Sequence, residues 1–87
     1  MANSKSAEKR IRQAEKRRVR NRFHRSRMRT AVKQLREQIE DNRGEEARAA
    51  LSGTLGLIDA TARKGVVHRN AAARTKSRLT IAVNKLG

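Results

Sequence analysis

Few side chains in this sequence have the chemistry of a catalytic or metal site. Its two histidines, His24 and His68, have no carboxylate at a spacing that would form a metal site or a nucleophile–base pair, and the chain has no Cys. Asp59 stands alone among apolar residues, and we expect it to pair with Arg63 one helical turn later. The sequence therefore predicts no enzyme, no metal and no cofactor.

The abundant chemical groups are cations. Residues 5–36 contain fourteen Lys and Arg against two Glu, with neither Pro nor Gly, and so carry a net charge of +12. The whole chain carries +15, whereas a soluble small domain typically carries a net charge of roughly 2–8 in magnitude. Such charge is typical of nucleic-acid binders, because Lys and Arg release the counterions that condense on phosphates.

The sign of the charge alternates along the chain. Residues 37–62 contain six acids and two Arg, and residues 63–87 contain seven cations and no acid. This order predicts two segments that face a polyanion and a middle segment that faces away.

The first predicted helix carries most of the cations, and only part of it has an apolar stripe. The stripe comprises Met28, Ala31, Val32, Leu35 and Ile39. Earlier apolar residues share no single face, so we expect the core to begin near Phe23. Asn3, Ser4 or Ser6 is expected to cap the start of this helix, and Gly44 its end.

Two shorter helices are expected to cover that stripe. The second has Ala47, Leu51, Leu55, Ile58 and Ala62 at helical spacing, and the third has Ala72, Thr75, Leu79, Ala82, Val83 and Leu86. Gly53 and Gly56 either permit the close approach of a neighbouring helix or kink the second helix. His68 is a candidate cap for the third helix.

Helix lengths decide the predicted architecture. The helices are expected at about residues 5–41, 45–64 and 69–86, so the first would span ~55 Å and the others only ~30 Å. The sequence therefore predicts an all-α single domain over residues 1–87. It would be an antiparallel three-helix bundle whose long N-terminal helix extends beyond the body.

Short polar residues lie among the cations, at Asn21, Ser26, Thr30, Asn70, Thr75 and Ser77. Such side chains can reach 2′-hydroxyl groups and base edges at close range. The lack of Tyr and Trp argues against single-strand binding by stacking and favours folded RNA or duplex.

The chain strongly resembles family number twenty of the bacterial small-subunit ribosomal proteins. The resemblance covers nearly the full length and depends on MANSKSAEKR (1–10), Asn21, HRSRMRT (24–30) and KGVVHRNAAARTKSRL (64–79). It implies a three-helix bundle that binds small-subunit ribosomal RNA directly and early in assembly, in the cytoplasm, with its first helix lying along RNA helices. Glu8 departs from the family pattern, which often has a basic residue there.

By position, the resemblance implies RNA contacts at Lys5, Ser6, Lys9, Arg10, Asn21, Arg25, Ser26, Arg29, Lys64, His68, Asn70, Arg74, Lys76 and Ser77. The cationic surface adds Arg12, Lys16, Arg17, Arg20, Arg22, Arg69 and Arg78. We therefore predict a structural protein of the small subunit that helps assembly by bridging RNA helices. Other small-subunit proteins are expected as peripheral neighbours only, with no membrane and no homo-oligomer.

Two other classes of function fit parts of the sequence less well. A dimeric basic-region DNA-binding protein would use Met28, Val32, Leu35 and Ile39 as a leucine zipper, but a zipper needs ~3–4 heptads and this seam stops at residue 42. A membrane-surface protein would need a continuous apolar face, which the basic half of the chain lacks.

Overall fold

A computed structural model of the chain describes residues 4–86, which form three α-helices and no strand. They are α1 (Ser4–Glu40), α2 (Gly44–Arg63) and α3 (Arg69–Asn84). The all-α class and the helical bundle with a long first helix are confirmed. The candidate cap Asn3 lies outside the described residues, as does the side chain of Ser4, and Ser6 lies inside α1.

The molecule is elongated because α1 is nearly twice as long as α2. The described chain measures 66 × 20 × 15 Å and has a radius of gyration of 17.7 Å, against ~12 Å for a compact domain of this size. Helix α2 packs against both α1 and α3, which contact each other far less. The first half of α1 thus extends beyond the packed body.

The core is small and aliphatic. Its buried residues are Val32, Leu35, Ala47, Ile58, Ala72, Leu79 and Val83, with Met28, Ile39 and Leu51 among the half-buried residues packed on them. The expectation that the core begins near Phe23 is wrong, because Phe23 is 57% exposed. It stands nine residues before Val32, which is two and a half turns of about 3.6 residues, and therefore lies on the opposite side of α1.

Two threonines of α2 are buried that the sequence did not single out. Thr54 donates its hydroxyl hydrogen to the carbonyl of Ala50 at 3.0 Å, and Thr61 to that of Leu57 at 2.7 Å. These bonds remove the cost of burying an unpaired hydroxyl, so each threonine packs like a small apolar residue. Leu55, which was expected in the core, is half-buried.

Asn42, and not Gly44, provides the left-handed residue after α1. Asn42 has φ 55°, and the amide of Arg43 donates to the carbonyl of Gln38 at 2.9 Å. This is the pattern of a Schellman cap, and Gly44 is instead the first residue of α2. Helix α2 ends in the same way at Gly65, which has φ 76°.

Contacts between α2 and α3 set their antiparallel register. The Nζ of Lys76 lies 2.7 Å from the Oδ1 of Asp59, and Arg48 donates to the carbonyl of Leu86 at 3.1 Å. The predicted pairing of Asp59 with Arg63 is therefore wrong. A carboxylate facing α3 is satisfied across the helix pair and not along its own helix.

Gly53 and Gly56 neither bring a neighbouring helix close nor interrupt α2. Both are exposed, and beyond its chain neighbours and the backbone of its own helix a Cβ placed at either would meet no described atom within 4 Å. We expect Gly53→Ala and Gly56→Ala each to raise the free energy of unfolding by ~1 kcal/mol, because glycine loses more backbone freedom in a helix. Thermal and urea unfolding would measure this. A neutral or destabilised double variant would contradict the structure of α2.

Candidate nucleic-acid interface

The first part of α1 is a bare cationic arm, defined here as residues 5–20. Every one of its sixteen side chains is exposed, and eight of them are Lys or Arg. Within the arm, the acid Glu15 is paired with Arg18. Like charges one turn apart, as at Arg12–Lys16 and Lys16–Arg20, cost ~0.2–0.5 kcal/mol per pair in a free helix. A polyanion lying along the arm would remove that repulsion.

The arm meets the body at a junction, residues 21–27 of α1. Asn21, His24 and Arg25 are half-buried there, while Arg22 and Ser26 are exposed. The Oδ1 of Asn21 is shielded from solvent and has no hydrogen-bond partner among the described residues. Contact between RNA and the Asn21 side chain would therefore use its amide nitrogen as a donor.

Cations surround His24 at the junction. Burial, followed by the charges of Lys64, Arg20 and Arg27, lowers the pKa of His24 below its ordinary value of 6.5. Lys64 belongs to the turn after α2, so this electrostatic effect joins the junction to the α2–α3 turn. The neutral imidazole is the form that this site favours.

The lowered pKa predicts a pH dependence of stability. Below about pH 6.5 the unfolded chain binds a proton at His24 more readily than the folded chain does, so the free energy of unfolding falls as the pH is lowered. We expect His24→Gln to flatten this dependence as the pH falls below about 6.5, and more so at low salt. Thermal unfolding over a pH series would measure it. Parallel curves for both proteins would contradict the assignment.

The N-terminal part of α3 contributes a second set of exposed cations and polar groups. They are Arg69, Asn70, Arg74, Ser77 and Arg78, with Lys64 and His68 in the preceding turn. The Nδ1 of His68 accepts the amide hydrogen of Asn70 at 3.0 Å and caps α3, so only its Nε2 remains to meet RNA. Lys76 is half-buried and already paired with Asp59.

Sequence reasoning missed two cations of a groove between α1 and α3. The groove has a volume of about 540 Å³, and Met28, Val32 and Thr75 are among the residues that line it. Three cations line it, Arg29, Lys33 and Arg36, together with the acids Glu37 and Glu40 at one end of the α1 segment. Of the cations, only Arg29 was predicted as a site residue. Their spacing of four and then three residues is the signal that could have found them.

Acidic residues gather at the opposite end of the body from the arm. They flank the α1–α2 turn and are exposed, at Glu37, Glu40, Asp41, Glu45 and Glu46. Arg43 lies among them, 3.5 Å from Glu46 and 3.6 Å from Asp41. The long axis of the molecule therefore runs from a strongly positive end to a negative end.

Two further features, metal-binding clusters and membrane-spanning helices, are absent from the described residues. Across residues 4–86, no three His, Asp or Glu side chains are grouped so as to hold a metal ion. None of the described helices combines the length and apolar content needed to cross a membrane.

A small helical body with a long cationic helix is typical of the structural, non-enzymatic proteins of the ribosome. The family model of ribosomal protein S20 matches residues 2–84. The chain belongs to the ribosomal protein S20 family.

Individual relatives are similar to this chain in sequence over nearly its whole length, and each is described as small ribosomal subunit protein bS20. The protein of Trichlorobacter lovleyi is 51% identical over 87 residues, and that of Geobacter sulfurreducens 47%, with each chain fully covered in both cases. The protein of Aquifex aeolicus is 45% identical over 85 residues, which cover 98% of this chain and 90% of that protein. The resemblance seen in the sequence is confirmed.

Proposed function

We propose that this chain is a structural component of the small ribosomal subunit in the cytoplasm, where it binds small-subunit ribosomal RNA directly. Its relatives carry the name of a small ribosomal subunit protein. The observation that carries the proposal is the arm, where eight of the sixteen residues are Lys or Arg and every side chain is exposed outside the core. A helix with so much charge and so little packing needs a polyanion to lie against.

The chain would help assembly by bridging RNA helices. The arm and the exposed cations of α3 belong to different elements, so they can neutralise phosphates of two neighbouring RNA helices and lower their repulsion. The acidic turn between α1 and α2 would face away from the RNA. This orientation follows from the opposite charges at the two ends of the molecule.

The proposed RNA-binding residues are those predicted from the sequence, and they differ in how far their side chains are exposed to solvent. Most are exposed, while Asn21, Arg25 and Lys76 are half-buried. Lys76 would have to exchange its carboxylate partner for a phosphate, so we expect it to contribute least. Lys33 and Arg36 join the set because they line the groove with Arg29.

The chain would act as a monomer, with other small-subunit proteins as peripheral neighbours. The positions that a leucine zipper would use are occupied inside the chain, since Val32 is 7% exposed and Leu35 only 1%. These side chains are therefore not available to form the helix–helix contact that a DNA-binding dimer would require. A monomeric mass at micromolar concentration in the absence of RNA is the expected result in solution.

Comparative binding tests this function. Affinity for isolated small-subunit ribosomal RNA and for a random RNA duplex would be measured across a salt series. The log of each affinity should fall linearly with the log of salt concentration, because phosphates release counterions. The ribosomal RNA should retain a preference at physiological salt. Equal affinities at every salt concentration would reject the specific binding of ribosomal RNA.

A further inference from the structure

Phe23 is the sole Phe, Tyr or Trp of the chain, and its position is not explained by the core. Its side chain is 57% exposed on the side of α1 that faces away from the core. The ring meets the ring of His24 edge-on, with centroids 5.3 Å apart and planes inclined by 70°. The guanidinium carbon of Arg27 lies 5.8 Å from the ring centroid. The ring is thus supported by two neighbours and open to solvent.

Shallow apolar depressions lie on both sides of this ring. One, of about 490 Å³, is lined by Phe23 with Glu15, Lys16, Val19 and Arg20. The other, of about 450 Å³, includes Phe23, Ser26, Arg27, Thr30 and Leu57 in its lining. Cations and hydroxyl groups therefore border an apolar surface at the junction between arm and body.

We propose that Phe23 stacks on one unpaired base of the bound RNA, while Arg20 and Arg27 contact the phosphates beside that base. This inference rests on the proposed RNA-binding function and names what the junction recognises. A base has an apolar face and a flanking negative charge, and the junction offers a ring bordered by guanidinium groups. Because every base presents a stacking face, the contact would select an unpaired nucleotide and not a particular base.

The charge of the junction favours RNA over a protein as the occupant. A protein covering the ring would also cover Arg20, Arg27 and Lys16, and burying unpaired cations is costly. RNA brings phosphates to those cations. One ring accommodates one base, so the contact fits folded RNA that has a bulged or looped-out nucleotide and not a continuous single strand.

A tryptophan in place of Phe23 would report the contact directly. The chain has no Trp or Tyr, so F23W gives a single fluorophore at the junction. Stacking on a base should quench its emission when small-subunit ribosomal RNA is added, and a fully paired RNA duplex should leave it bright even when bound. Ser52→Trp, at an exposed position of α2, is the control and should not be quenched. A blue shift of the emission without quenching would overturn the proposal and indicate that the ring packs in an RNA groove. A blue shift that appears only when other subunit proteins are added would overturn it in favour of a protein partner.

Affinity provides the second readout. Phe23→Leu should weaken binding to the ribosomal RNA by about 5- to 150-fold, the range for losing one base–aromatic stack. F23W should bind at least as well as the unaltered chain. Ile81→Ala, at an exposed apolar position of α3 outside the proposed contacts, should change affinity less than about twofold. All three variants should have the same melting temperature as the unaltered chain, because neither of the two substituted positions belongs to the core.

The two proposals fail differently. If no protein, altered or not, prefers ribosomal RNA to duplex, the RNA-binding function fails. If the preference is present but Phe23→Leu retains full affinity and F23W stays bright, only the stacking contact is wrong.

Discussion

A chain lacking residues 1–21 is expected to keep its folded three-helix body and to lose most of its affinity for small-subunit ribosomal RNA. The described side chains of the removed segment, at residues 5–21, contribute nothing to the buried core, which begins beyond them at Val32. The segment does contain eight of the 23 Lys and Arg residues. Each lost phosphate contact should reduce the slope of log affinity against log salt by ~0.7–0.9. Circular dichroism and binding across a salt series would measure both effects.

A matched variant separates charge from length in this prediction. Replacing Arg12, Lys16 and Arg20 by Gln keeps the arm at full length and should reduce the salt slope by ~2–3. The shortened chain should reduce it further. Loss of cooperative unfolding on truncation, or unchanged affinity, would show that the division between arm and body is wrong.

Leu35→Ala is expected to have the opposite effect, because it should destabilise the three-helix body while leaving every cation in place. Leu35 is 1% exposed at the centre of the core, and removing such a side chain costs ~2–5 kcal/mol. In a domain this small, that loss should lower the melting temperature by roughly 10–30 °C. Differential scanning calorimetry would measure it.

The RNA binding of Leu35→Ala makes this prediction specific. All 23 cations remain, so affinity for a random duplex should persist at low salt, while the preference for ribosomal RNA should disappear at temperatures where the body is unfolded. Ile11→Ala, which truncates a side chain that is 67% exposed, is the control and should change stability by less than about 0.5 kcal/mol. Equal melting temperatures for the two variants would contradict the described core.

Helical periodicity was sufficient to predict the architecture. The stripe from Met28 to Ile39 recurs at helical spacing, and no Pro interrupts any helix, so local propensity and burial pattern agree. Phe23 lies only five residues before Met28 in the sequence, but it does not share the face of that stripe. A count of turns places it on the far side of α1 from Val32.

Contacts between helices were beyond sequence reasoning. Asp59 finds its partner Lys76 seventeen residues later, across the α2–α3 packing, whereas a single helix suggests only partners three or four residues away. The groove of Lys33 and Arg36 lies between α1 and α3, which contact each other little, so it is a property of packing and not of either helix alone. Asn42 took the cap position from Gly44 because Asn also tolerates the left-handed region.

In the proposed function the same helix serves both folding and RNA binding, and amide hydrogen exchange along α1 tests that division most directly. In the free protein, residues 5–20 should exchange rapidly, because their exposed side chains and mutual repulsion give the helix little support, whereas residues 28–40 should be protected by the core. Adding small-subunit ribosomal RNA should protect residues 5–20 and leave residues 28–40 nearly unchanged. Strong protection of residues 5–20 without RNA, or no gain in protection with RNA, would contradict the account.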